Sequence, residues 1–293
     1  MMSELVQVGE NTFYIDNPAK IGLFRLNEKE VCLIDSGNDK DAARKAKKLL
    51  EENGWTLSAI YNTHSNADHI GGNKYLQDKT GCKIYAPGAE CAIARHTFIS
   101  PSFLYGGYPF DELLHKFLYA QPSDAEYLTR ENVPDGFDII DLPGHFFDMV
   151  GFRTPDDVVF LADCLSSERT LEKYQISFVY DVAKYLKTLE MVIGMRAKLF
   201  VPSHAAPTDN IAPLAQKNID KVYEIADMLT DICKEPTNFE LILKRVFEIY
   251  DHRMNFEQYA LVGSTVRSYL SWLKSEGKIE AFVEDNLLLW KRK

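Results

Sequence analysis

An α+β fold in two unequal parts is what the sequence predicts. Up to about residue 210, short strand-like runs alternate with helical patterns. Beyond it, three helical patterns follow one another and end in a small hairpin. The length, 293 residues, is about twice the ~150-residue norm for one domain, which suits a division into residues 1–210 and 211–293.

The elements can be argued in order. Strand-like runs stand at 4–8, 12–15, 21–26 and 31–35, the last closing on the turn residues Ser36 and Gly37. A helix follows over 39–53, where Ala42, Ala43, Ala46, Leu49 and Leu50 recur at helical spacing. Asn38 or Asp39 can cap its start and Gly54 its end. Residues 57–62, 83–86, 137–142, 149–154, 158–162 and 198–201 continue the strand series, with a helix over 181–195. Residues 96–130 interrupt the rhythm with Phe98, Phe103, Tyr105, Tyr108, Phe110, Phe117 and Tyr119 among Pro and Gly. They read as an insertion, either a satellite apolar cluster or a cap over a cleft. As a cap, Phe103, Tyr105, Tyr108 and Phe110 would face a substrate. Helices then span 211–233, 238–250 and 256–274, and strands at 278–283 and 287–290 suggest a winged-helix module. That tail would pack on the rest through Phe247, Tyr250, Trp272, Leu273 and Trp290.

Composition narrows the function. With 46% hydrophobic and 26% charged residues the chain can build a core and is not disordered. A net charge of −10 disfavours nucleic acid and anionic membranes as partners, and no apolar run is long enough to span a bilayer. The first residues, MMSELVQVGE, lack the basic flank and apolar stretch of a secretory signal. Cys32, Cys82, Cys91, Cys164 and Cys233 are scattered, so reduced buried thiols and a cytoplasmic location are expected.

The chemistry concentrates in Tyr61-Asn62-Thr63-His64-Ser65-Asn66-Ala67-Asp68-His69-Ile70-Gly71-Gly72. In an extended loop His64 and Asn66 point the same way; Asp68 and His69 enter a helical turn, where neighbours diverge and could serve two ions. Gly71 and Gly72 let backbone pass close behind. Further donors follow predicted strands: His145, Asp163 and His204. Singly, each reads as a polar group at a strand end. Together, imidazoles and carboxylates at repeated strand ends describe a sheet edge lined with metal ligands. Cys164 beside Asp163 reads as a buried thiol, and His96, His115 and His252 as surface or packing histidines.

With these motifs the chain resembles the metallo-β-lactamase superfamily. Residues 63–72 resemble its THxHxDHxGG signature, Leu33-Ile34-Asp35-Ser36-Gly37 its early strand and turn, and Pro143-Gly144-His145, Ala162-Asp163 and Ser203-His204 its later ligands in order. The tail resembles the winged-helix appendage of some family hydrolases, including the lactamase-B2-like group. The resemblance implies an αββα sandwich with a metal centre at one edge. One ion would be held by His64, residue 66 and His145, and another by Asp68, His69 and His204, with Asp163 between them. Asn66 stands where the family has histidine, and a neutral amide offers zinc only a weak oxygen. One tight ion and one weak ion are therefore expected, zinc first, with manganese or iron as alternatives.

The expected activity is metal-dependent hydrolysis of a small acyl substrate (thioester, ester or lactone) by a metal-bound hydroxide. Asp68, His64 and His145 would act in catalysis, either histidine as general base when one ion is present. A phosphodiesterase or nuclease, or a non-hydrolytic di-iron or sensor protein, is the competing class. A small molecule is the expected partner, and a homodimer is allowed for.

Overall fold

The structure, a computed structural model, describes residues 4–293; residues 1–3 of the first predicted part lie outside it. The first half of the chain comprises β1 (Leu5–Gln7), β2 (Thr12–Ile15), β3 (Ile21–Arg25), β4 (Glu30–Ile34), α1 (Lys40–Glu52), β5 (Thr56–Tyr61), α2 (Ala67–Ile70), α3 (Asn73–Thr80), β6 (Lys83–Ala86), α4 (Gly88–Arg95), α5 (Ile99–Tyr105) and β7 (Ala125–Tyr127). There follow β8 (Asp138–Asp141), β9 (Val150–Arg153), β10 (Val158–Ala162), α6 (Glu168–Tyr174), α7 (Val182–Gly194), β11 (Leu199–Pro202), α8 (Ala212–Ile232), β12 (Thr237–Asn238), α9 (Phe239–Ile249), α10 (Phe256–Ser275), β13 (Ile279–Glu284) and β14 (Leu287–Arg292).

Strands β1 to β7 form one sheet in sequence order, and β11-β10-β9-β8 form a second. The residue pattern forces two buried faces on each. In β4, Val31 and Leu33 pack with Ala43, Ala46 and Leu76 of the helices on one side, while Cys32 and Ile34 face the second sheet. In β10, Val158 and Phe160 meet the first sheet, while Val159 and Leu161 join Leu189 and Val192 of α7. A strand buried on both faces carries a nearly continuous apolar run, which is how these strands read in the sequence. The layers are therefore helix, sheet, sheet, helix, as expected. Phe152, fully buried between the sheets, is one residue on which this depends; its truncation to alanine costs about 3–5 kcal/mol.

Beyond residue 210 the apolar core continues without a break. Val222, Ile225 and Leu229 of α8, Leu243, Val246 and Phe247 of α9, and Val266, Leu270 and Leu273 of α10 share one cluster with the outer face of the second sheet. Tyr250, Trp272 and Trp290 pack against it. Strands β13 and β14 form the expected hairpin, and the short β12 pairs with β14 to make a three-stranded sheet in the order β12-β14-β13. Among the described residues no helix is long and apolar enough to cross a membrane.

The segment 96–130 differs from its reading as an insertion. Its end is scaffold: β7 pairs parallel to β6 as the edge of the first sheet. Three residues are too few to show a period, so the strand is invisible in the sequence. Its other part, α5 and the residues after it, packs on α10 through Leu104, Leu113, Leu118 and Ala260.

Candidate metal centre

Four strand ends, those of β4, β5, β10 and β11, and the β8–β9 loop meet at one edge of the two sheets. Strand β4 ends at Asp35, whose backbone takes φ 65°, a left-handed conformation that aspartate tolerates better than most residues. Its carboxylate accepts the Thr63 backbone N–H and hydroxyl, both at 2.8 Å, and His69 Nδ1–H at 2.7 Å. This one side chain therefore fixes the loop after β5 and the first turn of α2. Glycine is required behind that turn: a Cβ on Gly71 would lie 2.5 Å from the Asn38 carbonyl oxygen, and one on Gly72 2.3 Å from that of Ser36. On the far side of the loop, buried Glu90 accepts the backbone N–H groups of Ser65 and Asp148, each at 3.0 Å.

All four histidines turn the same nitrogen inward. His204 Nδ1 donates to the Pro18 carbonyl at 2.9 Å, and His145 Nδ1 to that of Phe178 at 3.0 Å. His69 Nδ1 donates to Asp35. The Thr63 hydroxyl gives its proton to Asp35 and so accepts from His64 Nδ1 at 2.9 Å. Each Nδ1 carries the proton, so each neutral ring presents a bare Nε2 lone pair, the arrangement metal-ligating histidines require.

Those nitrogens converge on two carboxylates. His204 Nε2 lies 3.2 Å from both Asp68 Oδ2 and Asp163 Oδ2. His69 Nε2 lies 3.1 Å from Asp163 Oδ1 and 3.8 Å from Asp68 Oδ2. Asp68 and His69, expected to diverge, therefore face one point, because a short loop aims the start of α2 at the edge. Asp68, His69, Asp163 and His204 make one group of donors; His64, His145 and Asp163 make another, each within 4.8 Å. His64 Nε2, His69 Nε2 and Asp163 Oδ1 are buried without a hydrogen-bond partner. Buried polar atoms are rarely left so, and these residues fit a divalent ion.

The electrostatics of the two groups differ. Burial alone would push His69 down, but Asp163, Asp68 and Asp35 together hold it well above the usual imidazole range. Asp163 raises His204 to about 10. Burial opposes ionisation of Asp68 and Asp163, yet the neighbouring imidazoles hold both low. In contrast, burial lowers His64 and His145. Asn66 Nδ2 lies 3.0 Å from His145 Nε2, so its amide N–H donates to the lone pair an ion would use.

Above the centre opens a cleft of about 760 Å³. Asn66, Asp68, His145, Asp163 and His204 form its floor, and Leu165, Tyr174, Ile176 and Phe178 one wall. The opposite wall comes from the insertion and the tail: Leu104, Phe117 and Leu118, with Gln258, Leu261 and Val262 of α10. The expected aromatic cap residues are thus corrected. Phe103 packs at a tilt on Phe147 at 5.1 Å and edge-to-face on Tyr180 at 5.5 Å, behind the His145 loop. Tyr105 packs on Phe110, Phe110 on Phe256, and Tyr108 on Phe98. Aromatic content pointed to the right segment, but helix rotation in α5 sends Leu104 to the cleft and Phe103 away. Cys164 is fully buried in the core, and burial pushes its thiol up. His96, His115 and His252 belong to neither donor group.

The sequence marks Asp35 within the early strand and turn but assigns it no role, and gives no sign of Glu90 or of the carbonyls of Pro18 and Phe178. An acidic residue at a strand end just before a Gly turn was the available signal for Asp35. Nothing marks a carbonyl.

A family model described as the metallo-beta-lactamase superfamily matches residues 15–204. Over 116 residues the chain is 28% identical to a hydroxyacylglutathione hydrolase of Hyphomonas neptunium, covering 39% of this chain and 36% of that protein. Over 58 residues it is 41% identical to a hydroxyacylglutathione hydrolase of Erythrobacter litoralis, covering 20% and 22%. The chain thus spans little more than a third, or less, of those relatives' length. Among solved structures, a beta-lactamase domain protein from Burkholderia ambifaria superposes with a TM-score of 0.72 at 14% identity, over 100% of this chain and 94% of that one. A metallo-beta-lactamase family protein from Thermus thermophilus gives 0.72 at 16%, over 100% and 99%. The fold likeness therefore includes the tail. With the family model covering well over half its length and the fold matching throughout, the chain belongs to the metallo-beta-lactamase superfamily.

Proposed function

We propose that this protein is a metal-dependent hydrolase of a small acyl substrate, a thioester, ester or lactone. The observation that carries the reading is the convergence of four imidazole Nε2 atoms and two carboxylates at and just beneath the floor of the cleft. Asp68, His69, Asp163 and His204 would hold one ion. His64 and His145, with Asp163 shared and Asn66 in place of a third strong donor, would hold a second weakly. A divalent ion there supplies Lewis acidity toward the scissile carbonyl and brings the pKa of water to about 7. The chain's own residues do the rest. When a single ion is bound, His145, its Nδ1–H held by Phe178, could take a proton at Nε2 in place of the Asn66 hydrogen bond, and His64, oriented likewise by Thr63, could do the same. Asp68 holds His204 in register.

The acyl assignment rests on the cleft and the relatives. Leu104, Leu118, Leu165, Ile176, Phe178 and Val262 give the walls apolar stretches among serine, threonine and Arg169 side chains, and relatives named hydroxyacylglutathione hydrolases align with parts of this chain. A polynucleotide fits poorly. Arg267 is the cation of α10 that precedes Lys274, and its guanidinium lies over the Phe239 ring at 3.7 Å instead of facing outward for a phosphate.

The test loads metal-free protein with zinc, manganese or iron and assays a thioester, an ester, a lactone and a phosphodiester. Acyl turnover with the phosphodiester inert is expected. Preferential phosphodiester cleavage would move the protein to the nuclease class. Bound iron without hydrolysis of any substrate would move it to the redox or sensor class.

A further inference from the structure

Residues 16–20, the turn joining β2 to β3, belong to the seven-stranded sheet, whereas His204 follows β11 of the other sheet. The turn grips the His204 loop from both ends. Pro18 accepts His204 Nδ1–H. The Lys20 backbone N–H donates to Ser203 O at 3.2 Å. Lys20 Nζ then donates to Ala205 O at 2.8 Å and to Ser203 O at 3.4 Å. A lysine on a turn ordinarily extends into water. This one is half-buried and spends its donors on the carbonyls flanking one imidazole.

His204 is the donor that needs such a grip. Its side chain is 30% exposed, against 0% for His69 and 10% for His145. Packing fixes the other rings; His204 sits at the rim, on the sheet opposite the one that supplies Asp68 and His69.

Building on the metal site proposed above, we propose that Lys20 is a positioning residue for the tightly held ion. By clamping the carbonyls on either side of His204, it holds that imidazole against Asp68 and Asp163 across the gap between the sheets.

The measurement is zinc affinity of metal-free protein by competition with a chromophoric chelator, together with the visible spectrum of the cobalt-loaded protein. Lys20→Met keeps the stem and removes the ammonium. It is expected to weaken zinc about 10- to 100-fold, the cost typical of losing an outer partner of a ligand. It should also alter the cobalt spectrum while shifting the melting temperature of the metal-free protein little. Lys20→Arg, which keeps a charged donor, should recover most of the affinity. Should the methionine variant fail to fold, Lys20→Gln is measured in its place. Unchanged zinc affinity and an unchanged cobalt spectrum in the variant would overturn the role, as would a loss confined to melting temperature. A parent protein that binds no zinc would instead remove the tight zinc site on which this inference rests, and the hydrolase reading would then stand or fall with manganese and iron.

Discussion

The two halves of the candidate centre share Asp163 and present the same nitrogen from every histidine, yet they differ in charge. Around Asp68, His69, Asp163 and His204, two carboxylates hold two imidazoles protonated in the metal-free protein. Around His64 and His145 the rings are buried and held neutral, and an amide hydrogen already occupies one lone pair. Geometry already gives the first half four donors and the second three. Charge makes one a cation site and the other a place where a cation must displace a hydrogen bond and find little negative charge.

The comparison breaks most severely at His204. His204→Ala removes a donor from the charged half, and we expect loss of the tight ion with activity falling by at least about 100-fold, more than the loss of an outer partner alone. Elemental analysis alongside kcat/KM checks this; full metal content in the variant would refute the assignment. Asp35→Asn is the next largest. An amide can turn its N–H toward His69 Nδ1 and force the wrong tautomer, so zinc affinity should fall about 10- to 100-fold with the loop after β5 loosened. A chelator titration that returns the parent value would show Asp35 to be a loop staple only.

Asn66→His tests the weak half directly. It replaces an amide donor by a ring nitrogen beside His145, so the metal content should rise from one ion per chain toward two. Two equally tight ions in the parent protein would erase the asymmetry. The pH dependence sharpens the contrast. His204 is raised from 6.5 to about 10, so its charge stabilises the metal-free fold fully below about 6.5, and that contribution is lost as pH climbs through about 10. An ion must displace the same proton and that of His69. Zinc affinity should therefore rise with pH, with release of about two protons per ion. Calorimetric heats independent of buffer ionisation would contradict this. The smallest effect concerns the walls. Phe117→Ala should raise KM a few-fold, whereas Tyr105→Ala with Tyr108→Ala should leave KM unchanged. The reverse result would restore the aromatic cap.

What the chain alone discloses follows from chemistry that only particular side chains supply. Histidine and aspartate are conspicuous at strand ends, so His64, Asp68, His69, His145, Asp163 and His204 stand out in the sequence, and the nearly continuous apolar runs of β4 and β10 announce sheets buried on both faces. Asn66 is visible as a departure, but its bond to His145 is not, because that depends on a loop 79 residues away. The Pro18 and Phe178 carbonyls are hidden for a simpler reason: every residue has one. Strand β7 is too short to carry a pattern, and the side of α5 that faces the cleft is set by packing on α10.

Helix α10 lines the cleft while contributing none of the candidate donors. Reactivity and fit are thereby written in separate stretches of chain. Drift in residues 255–262 could retune which molecules enter without disturbing the centre that acts on them. A designer seeking a new selectivity has the same freedom, and would begin at Gln258, Leu261 and Val262.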